Sequence, residues 1–258
     1  LGEAVRASLA ELEGHFAFVV VHRDHPGELV ATRRHCPLVV GVGRGEMFVA
    51  SMITAFLSET RSIQHLEDDE IVLLDASGAR FYTEGVEIDR DVSEVRWDEE
   101  PAEHDGFETF MEKEIYEQPE ALRRTLLPRI ENGRPALEQI GLDEDAILDF
   151  RRVVVLGCGT AYNAGLLGRL AIEEWARIPT EAEIASEWRS REPLIDERTL
   201  VVAISQSGET ADTLAALRLA RAHGAKTLAV TNMPGTQITR DADEVLFTHA
   251  GLEVGVAA

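Results

Sequence analysis

The sequence has few cysteines and no long apolar runs. It contains two cysteines, Cys36 and Cys158, which cannot form the disulfide framework of small secreted domains, and each lies beside an apolar run. These features favour a reducing compartment, and we predict a cytoplasmic protein. No apolar run approaches the ~20 residues that a membrane-spanning helix requires, so no membrane span is predicted.

Basic residues are also scarce. Lysine and arginine number 25 against 47 aspartates and glutamates, which gives a formal net charge of −22. Nucleic acids and anionic membranes would repel such a chain, because binding to phosphates requires a concentrated basic face. We predict neither as a partner. With 45% hydrophobic and 28% charged residues, the 258-residue chain has the composition of a folded protein of one or two domains.

The first part of the chain has the pattern of an antiparallel sheet. A helix is predicted over Glu3–Glu13, closed by Gly14. Short β-rich runs follow, and the turns between them contain Pro-Gly, Gly-x-Gly or Ser-Gly, as is typical of antiparallel strands. The predicted strands are Phe16–His22, Glu28–Thr32, Pro37–Val42, Met47–Ala50, Glu70–Leu74 and Arg80–Thr83.

An acidic stretch and a helix separate this part from the second half. Residues 84–108 carry many acids and few apolar side chains, which predicts a solvated linker or a domain boundary. The next helix is predicted over Phe107–Leu127, kinked or restarted at Pro119. The predicted division is a β-rich part at residues 1–90, a linker and helix at residues 91–140, and a second domain at residues 141–258.

Strands and helices alternate in the second half, and the strands are apolar throughout. This pattern predicts an α/β fold with a doubly wound parallel sheet, covered on both faces. A ligand is expected outside the carboxyl ends of the strands. The predicted strands are Val153–Leu156, Thr180–Ala185, Leu200–Ile204, Lys226–Thr231 and Glu244–Thr248, and the predicted helices are Ala161–Ala176 and Glu209–His223.

Two polar loops follow strands of this sheet. The loop Ser205–Thr210 reads Ser-Gln-Ser-Gly-Glu-Thr and opens a helix, so its hydroxyls and the helix N-terminus can bind a phosphate without a metal. A plain N-cap at Ser205 or Ser207 is the alternative. The loop Gly157–Tyr162 opens with Gly-x-Gly, but Tyr162 replaces the small residue of a dinucleotide fingerprint. Because both loops should share one sheet edge, we favour a sugar-phosphate site.

The motifs Val155–Thr160, Glu183–Glu187 and Ser205–Thr213 resemble the first sugar isomerase (SIS) domain of the glutamine–fructose-6-phosphate aminotransferase (isomerizing) family. The match covers nearly the whole chain, in order. Glu112–Pro119 is similar to the family's interdomain segment and Ala250–Ala257 to a late loop of that SIS domain. Cys36–Val39 and Phe48–Ser51 resemble the distal part of the family's class II glutamine amidotransferase domain.

The resemblance implies a fold and an extent for the chain. It implies an incomplete antiparallel amidotransferase-type (Ntn) domain at residues 1–90 and a first SIS domain at residues 141–258. The chain starts at Leu1 rather than at a methionine and ends in the apolar run Gly255–Ala258. We therefore expect an internal fragment of a longer polypeptide.

The resemblance also implies an activity. The family hydrolyses glutamine at an N-terminal cysteine and transfers the ammonia to fructose 6-phosphate, which becomes glucosamine 6-phosphate. Both catalytic centres would lie outside this chain, so no catalytic residue is assigned, and the fragment alone is expected to be inactive. The resemblance implies no cofactor. It implies that the full-length enzyme is a homodimer that binds glutamine and these sugar phosphates. Carried over by position, the residues that bind the sugar phosphate are Thr160, Ser205, Gln206, Ser207, Thr210 and Val256.

The sequence departs from the family pattern at several positions. Ala161 replaces a hydroxyl that is common after Cys-Gly-Thr, which removes one potential ligand contact. His35 and Cys36 stand where the family usually has Gly-Ser. Met52 follows Ala-Ser where an aspartate is usual, and Leu252 replaces a threonine. Without a second pair of ligands at zinc spacing, His35 and Cys36 give no metal site.

Two other classes of function stay open at this stage. A non-catalytic SIS module could sense sugar phosphate for a partner, but the acidic first half offers no basic recognition helix. A nucleotide-binding Rossmann-type dehydrogenase would need the complete glycine fingerprint, and Tyr162 counts against it.

Overall fold

A computed structural model describes residues 1–95, 104–136, 140 and 144–255. The chain divides into two compact units, Leu1–Asp98 and Glu99–Ala258. The first is an antiparallel β unit with one helix, and the second is an α/β unit. Among the described residues, the structure contains no helix with the length and apolarity that crossing a bilayer requires.

Within residues 1–95, the first unit forms two antiparallel sheets. Its elements are α1 (Gly2–Leu9), β1 (Phe16–His22), β2 (His25–Arg34), β3 (Val39–Val42), β4 (Met47–Ala50), β5 (Ser62–His65), β6 (Ile71–Asp75), β7 (Gly78–Thr83), β8 (Val86–Ile88) and β9 (Ser93–Glu94), with a 3-10 turn at Ile53–Ala55. One sheet has the order β1-β2-β6-β7-β8 and the other β4-β3-β5-β9. The predicted antiparallel pairing is present in both sheets.

The two sheets of this unit share one core. Val40 of β3 lies in a buried cluster with Val72 of β6 and Phe81 of β7, so the facing sides of the sheets pack on each other. Helix α1 buries Val5 and Leu9 against the first sheet. The helix ends at Leu9, before the predicted closure at Gly14, and Leu12, the next apolar residue of the predicted helix, is exposed rather than packed on the sheet.

The acidic stretch is more ordered than a solvated linker. β8 and β9 lie inside it, and Ser62 of β5 pairs with Glu94 of β9. Val95 is buried in a cluster with Ile63. Val95 and Ile88 thus contribute to the core of the first unit, so the stretch up to residue 95 is not a solvated linker, whereas the division between the two units, after Asp98, does fall within the predicted stretch.

The second unit is built around a parallel sheet. Its described elements are α2 (Phe110–Leu126), a 3-10 turn (Leu127–Arg129), β10 (Ile130–Glu131), β11 (Arg134–Pro135), α3 (Glu144–Asp149), β12 (Arg152–Gly157), α4 (Thr160–Trp175), β13 (Thr180–Ile184), α5 (Ala185–Arg189), β14 (Thr199–Ile204), α6 (Ala211–Ala222), β15 (Lys226–Thr231), α7 (Gln237–Asp241) and β16 (Glu244–Phe247). The parallel order is β13-β12-β14-β15-β16. This confirms the doubly wound sheet, whose strand order reverses between β12 and β14.

Helices cover both faces of the parallel sheet. Val154 of β12 shares a buried cluster with Trp188 of α5 and Ala216 of α6. Val155 points to the opposite face, where Gly165 allows α4 to approach closely: a Cβ on Gly165 would lie 3.0 Å from Val155 Cγ1. Because β12 and β14 are parallel, α4 and α6 begin at the same edge of the sheet.

Helix α2 is a single helix that begins at its cap. The Thr109 hydroxyl accepts a hydrogen bond from the Glu112 N–H at 3.1 Å, which fixes the start at Phe110 rather than at the predicted Phe107. The helix continues through Pro119 to Leu126 without restarting.

Candidate functional site

The two polar loops meet at the point where the strand order reverses. Leu156 of β12 pairs with Ala203 of β14, so the loops that follow these strands leave the sheet side by side. The Thr213 hydroxyl, in the first turn of α6, donates to Cys158 Sγ in the other loop at 3.9 Å. The predicted juxtaposition of the loops at one edge is therefore confirmed.

The loop Ser205–Thr210 is braced by its own hydroxyls. Ser205 Oγ accepts a hydrogen bond from the Gly208 N–H at 3.1 Å and lies 2.9 Å from Thr210 Oγ1. Ser207 Oγ accepts from the Glu209 N–H at 3.2 Å. Three hydroxyls and two backbone amides are thus gathered within six residues, in a conformation that the loop itself holds.

The helix cap is not where the plain-cap alternative puts it. Helix α6 begins at Ala211, and its N-cap residue is Thr210. Neither Ser205 nor Ser207 is the N-cap, so that alternative is wrong. Ser205 is buried, whereas Ser207 and Thr210 are half-buried and remain partly accessible to a ligand.

Gly208 makes the loop possible. Its φ is +67°, a region that favours glycine. A Cβ at this position would lie 2.8 Å from Thr236 Cβ and 3.0 Å from Ile238 Cγ2. The Gly208 carbonyl also accepts from the Ile238 N–H at 3.0 Å. The loop therefore packs directly on the start of α7, with no space for a side chain between them.

The backbone next to the site is tied to the following strand. The Gln206 carbonyl accepts from the Asn232 N–H at 3.1 Å and from the Thr231 hydroxyl at 3.3 Å. On the other side of the loop, Glu209 Oε1 accepts from the Gln237 N–H at 2.8 Å. The Gln206 side chain itself is exposed.

The first loop is a tight strand-to-helix turn. A Cβ on Gly157 would lie 2.8 Å from the Ala161 carbonyl carbon and from the Tyr162 nitrogen, so only glycine fits. Thr160 is exposed at the first position of the 16-residue helix α4, where backbone N–H groups and the helix dipole favour an anion. Ala161 is half-buried beside it and offers no hydroxyl.

A third segment, Thr248–Gly255, follows β16 at the same edge, and Asn232 holds its beginning. Asn232 Oδ1 accepts from the Thr248 hydroxyl at 3.0 Å and from the Ala250 N–H at 2.7 Å. Its Nδ2 donates to the Gly251 carbonyl at 2.6 Å. Sequence reasoning missed Asn232, although a buried amide directly after a predicted strand was the available signal.

Charge also distinguishes this segment. Burial, with the guanidinium groups of Arg129 and Arg124, lowers the pKa of His249 below its ordinary value. Burial and the nearby Glu114 carboxylate raise the pKa of Glu253. The segment thus carries a histidine biased towards its neutral form and a carboxyl group that resists ionisation.

A separate polar cluster lies in the first unit. The Arg33 guanidinium, 4% exposed, donates to Asp68 Oδ1 at 2.8 and 3.0 Å, and His35 Nδ1 lies 3.0 Å from Asp68 Oδ2. Burial raises the pKa of Asp68, but hydrogen bonds from the His35 N–H and Arg33 outweigh it and lower the pKa overall. Within the described residues, no group of three or more histidines, cysteines or acids is arranged to hold a metal.

The structure places five of the six predicted ligand contacts at one sheet edge. Val256 lies outside the described residues. That these residues bind a ligand stays a prediction. Among the other departures, Leu252 is half-buried and Met52 is exposed. The five residues at the edge are Thr160, Ser205, Gln206, Ser207 and Thr210.

Known proteins resemble this chain over its whole length. The SIS domain family matches residues 146–258. The glutamine–fructose-6-phosphate aminotransferase (isomerizing) of Clostridium acetobutylicum is 44% identical over 99% of this chain, and that of Streptomyces coelicolor is 49% identical over 100% of it. The chain spans 42% of the length of each relative.

A solved structure agrees with the assignment of the second unit. It is the C-terminal domain of glucosamine-fructose-6-phosphate aminotransferase from Francisella tularensis, with a TM-score of 0.57 and 38% identity. The match covers 61% of this chain and 44% of that one. By sequence and by fold, residues 146–258 match the SIS domain family, and the chain is similar over its length to part of these aminotransferases.

Proposed function

We propose that the second unit binds a hexose phosphate, and that the chain is part of an enzyme that makes glucosamine 6-phosphate from fructose 6-phosphate and glutamine. The observation that carries this proposal is the loop Ser205–Thr210. It gathers hydroxyls and amides at the start of α6, beside the start of α4, where the strand order reverses. The names of the relatives supply the substrate.

The loop suits a phosphate for chemical reasons. Hydroxyl groups and the Gln206 side-chain amide can donate hydrogen bonds to phosphate oxygens, and the N-termini of two helices favour negative charge there. In this proposal Ser205, Ser207 and Thr210 bind the phosphate with the Gln206 amide, and Thr160 closes the pocket from the neighbouring loop. Val256 contacts the sugar.

We assign no catalytic residue to this chain. The binding residues are hydroxyls, an amide and an alkyl group, none of which serves as an acid or base near neutral pH. We therefore expect no formation of glucosamine 6-phosphate by the chain alone, and no cofactor. The alternative of a sugar-phosphate sensor would use the same pocket, without chemistry.

The first unit is proposed to belong to an amidotransferase-type (Ntn) domain. Its two antiparallel sheets packed face to face support this, as does the glutamine in the relatives' name. Glutamine as second substrate, a homodimer and a cytoplasmic location belong to the proposal for the full-length enzyme. Both cysteines are free thiols, which suits a reducing compartment.

A thermal-shift titration tests the proposal. Fructose 6-phosphate or glucosamine 6-phosphate at ~100 times its dissociation constant should stabilise the chain by about 2.7 kcal/mol, a rise of several degrees in Tm. The double variant Ser205→Ala/Ser207→Ala should show no shift, because the phosphate loses two hydroxyls and the loop loses its braces.

The controls separate the alternatives. NAD and free fructose should leave the Tm unchanged, and Ser58→Ala, at an exposed serine of the first unit, should respond like the parent. If the double variant fails to fold, the single variant Ser207→Ala replaces it in the test. Because Ser207 is half-buried, this variant should fold and bind the phosphosugar more weakly. A shift with NAD, or an unchanged response of the folded double variant to phosphosugars, would refute the proposal.

A further inference from the structure

We infer that Glu114 and Asn232 are positioning residues: they fix the segment Thr248–Gly255 against the phosphate-binding loop and thereby shape the sugar end of the site. This inference rests on the proposed function. It gives the helix that contains Glu114 a role in binding, beyond that of a segment between domains.

Asn232 joins the beginning of the segment to the phosphate loop. It is buried, and its backbone N–H donates to the Gln206 carbonyl at 3.1 Å. Its side chain uses both polar atoms on the segment, at Thr248, Ala250 and Gly251. One residue thus sets the distance between the loop that would hold the phosphate and the segment that leads towards the sugar contact.

Glu114 holds the end of the segment. Its Oε1 accepts hydrogen bonds from the N–H groups of Val254 at 2.7 Å and Gly255 at 2.8 Å. Hydrogen bonds to a charged acceptor are stronger than those between neutral groups. A Cβ on Gly255 would lie 2.9 Å from Glu114 Oε2 and 3.0 Å from Met111 Cα, so the segment lies directly on α2.

The rest of α2 contacts the segment between these two points. The Thr125 hydroxyl donates to the Thr248 carbonyl, and Arg124 Nη2 donates to the Ala250 carbonyl at 3.4 Å. Arg129 donates to the Phe247 carbonyl, at the end of β16. Residues of α2 therefore bind the backbone of the segment near its beginning and at its end, and the turn after α2 binds the end of β16.

The two amides bound by Glu114 immediately precede Val256, the predicted sugar contact. Their carboxylate partner therefore fixes the backbone of the segment up to Gly255. Loss of the Glu114 carboxylate should disturb recognition of the sugar but leave the phosphate cradle of Ser205–Thr210 in place.

Two ligands distinguish these ends of the site. Affinities of glucosamine 6-phosphate and of inorganic phosphate are measured by calorimetry for the parent, Glu114→Ala, Glu114→Gln and Glu120→Ala. Glu114→Ala should weaken the binding of glucosamine 6-phosphate about tenfold and change the affinity for inorganic phosphate less than twofold. Glu114→Gln keeps an acceptor oxygen and should restore most of the loss. Glu120, exposed on the same helix and paired with Arg123, is the matched control and should have no effect.

Asn232 and amide exchange provide the second arm. Asn232→Asp keeps the acceptor for Ala250 but turns a carboxylate oxygen towards the Gly251 carbonyl. It should therefore weaken the binding of glucosamine 6-phosphate more than the binding of inorganic phosphate. Amide exchange of Val254 and Gly255 should accelerate in Glu114→Ala and not in Glu120→Ala.

The outcomes are distinct. If the parent binds the sugar phosphate and Glu114→Ala binds it equally well, the inference is wrong, and a parallel loss of both ligands also contradicts it, since that indicates a general structural role. If the parent does not bind glucosamine 6-phosphate, the proposed function fails, and the inference fails with it.

Discussion

At the scale of single residues, the conformation of the loop Ser205–Thr210 depends on Gly208. We expect Gly208→Ala to destabilise the second unit by roughly 2–3 kcal/mol, because the added Cβ meets Thr236 and Ile238 and the backbone φ is positive. Gly168→Ala on α4 is the matched control: its Cβ would meet no atom within 4 Å, and alanine favours helices, so stability should rise by about 0.5–1 kcal/mol. Urea unfolding measures both changes.

Two results would contradict this role of Gly208. If Gly208→Ala unfolds at the same urea concentration as the parent, the loop has relaxed away from α7, and the packing of Gly208 on Thr236 is not a constraint. Binding of glucosamine 6-phosphate by that variant would show that the loop does not need this conformation.

At the scale of elements, the contact between α2 and the segment Thr248–Gly255 should respond to pH. The pKa of Glu253 is raised above its ordinary 4.5 by burial and by Glu114. Below pH 4.5 the carboxyl group is protonated in both the folded and the unfolded chain, so it does not lower the free energy of unfolding. As the pH rises from 4.5 through the raised folded value, the unfolded chain loses its proton first, so folding loses stability.

The substitution Glu253→Gln removes this pH-dependent cost. The variant should have a higher Tm than the parent at pH 7.5, and the difference should vanish near pH 4. Thermal unfolding at several pH values measures it, with Glu120→Gln on exposed α2 as control. A difference between variant and parent that is the same at both pH values would contradict the cause given for the raised pKa.

Sequence patterns predicted the elements whose cores are local and apolar. β12 and β14 were found because runs such as Val153–Leu156 are buried on both faces, and the turn at Gly157 has a clear glycine signature. β5 was missed because Ser62–His65 contributes one strongly apolar residue, Ile63, and owes its pairing to β3 and β9. Its conformation is decided by tertiary contacts that no local pattern contains.

The residues around the candidate site differ in the same way in how far the sequence reveals them. The residues of Ser205–Thr210 could be found because they are contiguous and their loop has one dominant chemistry. Asn232 and Glu114 act from elements distant in sequence, and only the folded chain brings them to the segment Thr248–Gly255. Hydrogen bonds between separate elements leave no periodic trace in a sequence.

At the scale of the whole molecule, the proposed anion site would have to function within a strongly acidic chain. With a net charge of −22, the general electrostatic field opposes a phosphate, so binding must arise from local donors and helix N-termini. These lie in the second of two compact units, which contains the SIS match at residues 146–258. The finer division at residues 90 and 140 stays a prediction.

The most direct test is a crystal structure of the chain with glucosamine 6-phosphate. We predict that the phosphate lies between the loops Gly157–Thr160 and Ser205–Thr210, within about 3 Å of the Ser207 and Thr210 hydroxyls, with the sugar directed towards Val256. A phosphosugar bound elsewhere, or an empty sheet edge at saturating ligand, would contradict a hexose-phosphate site in this unit.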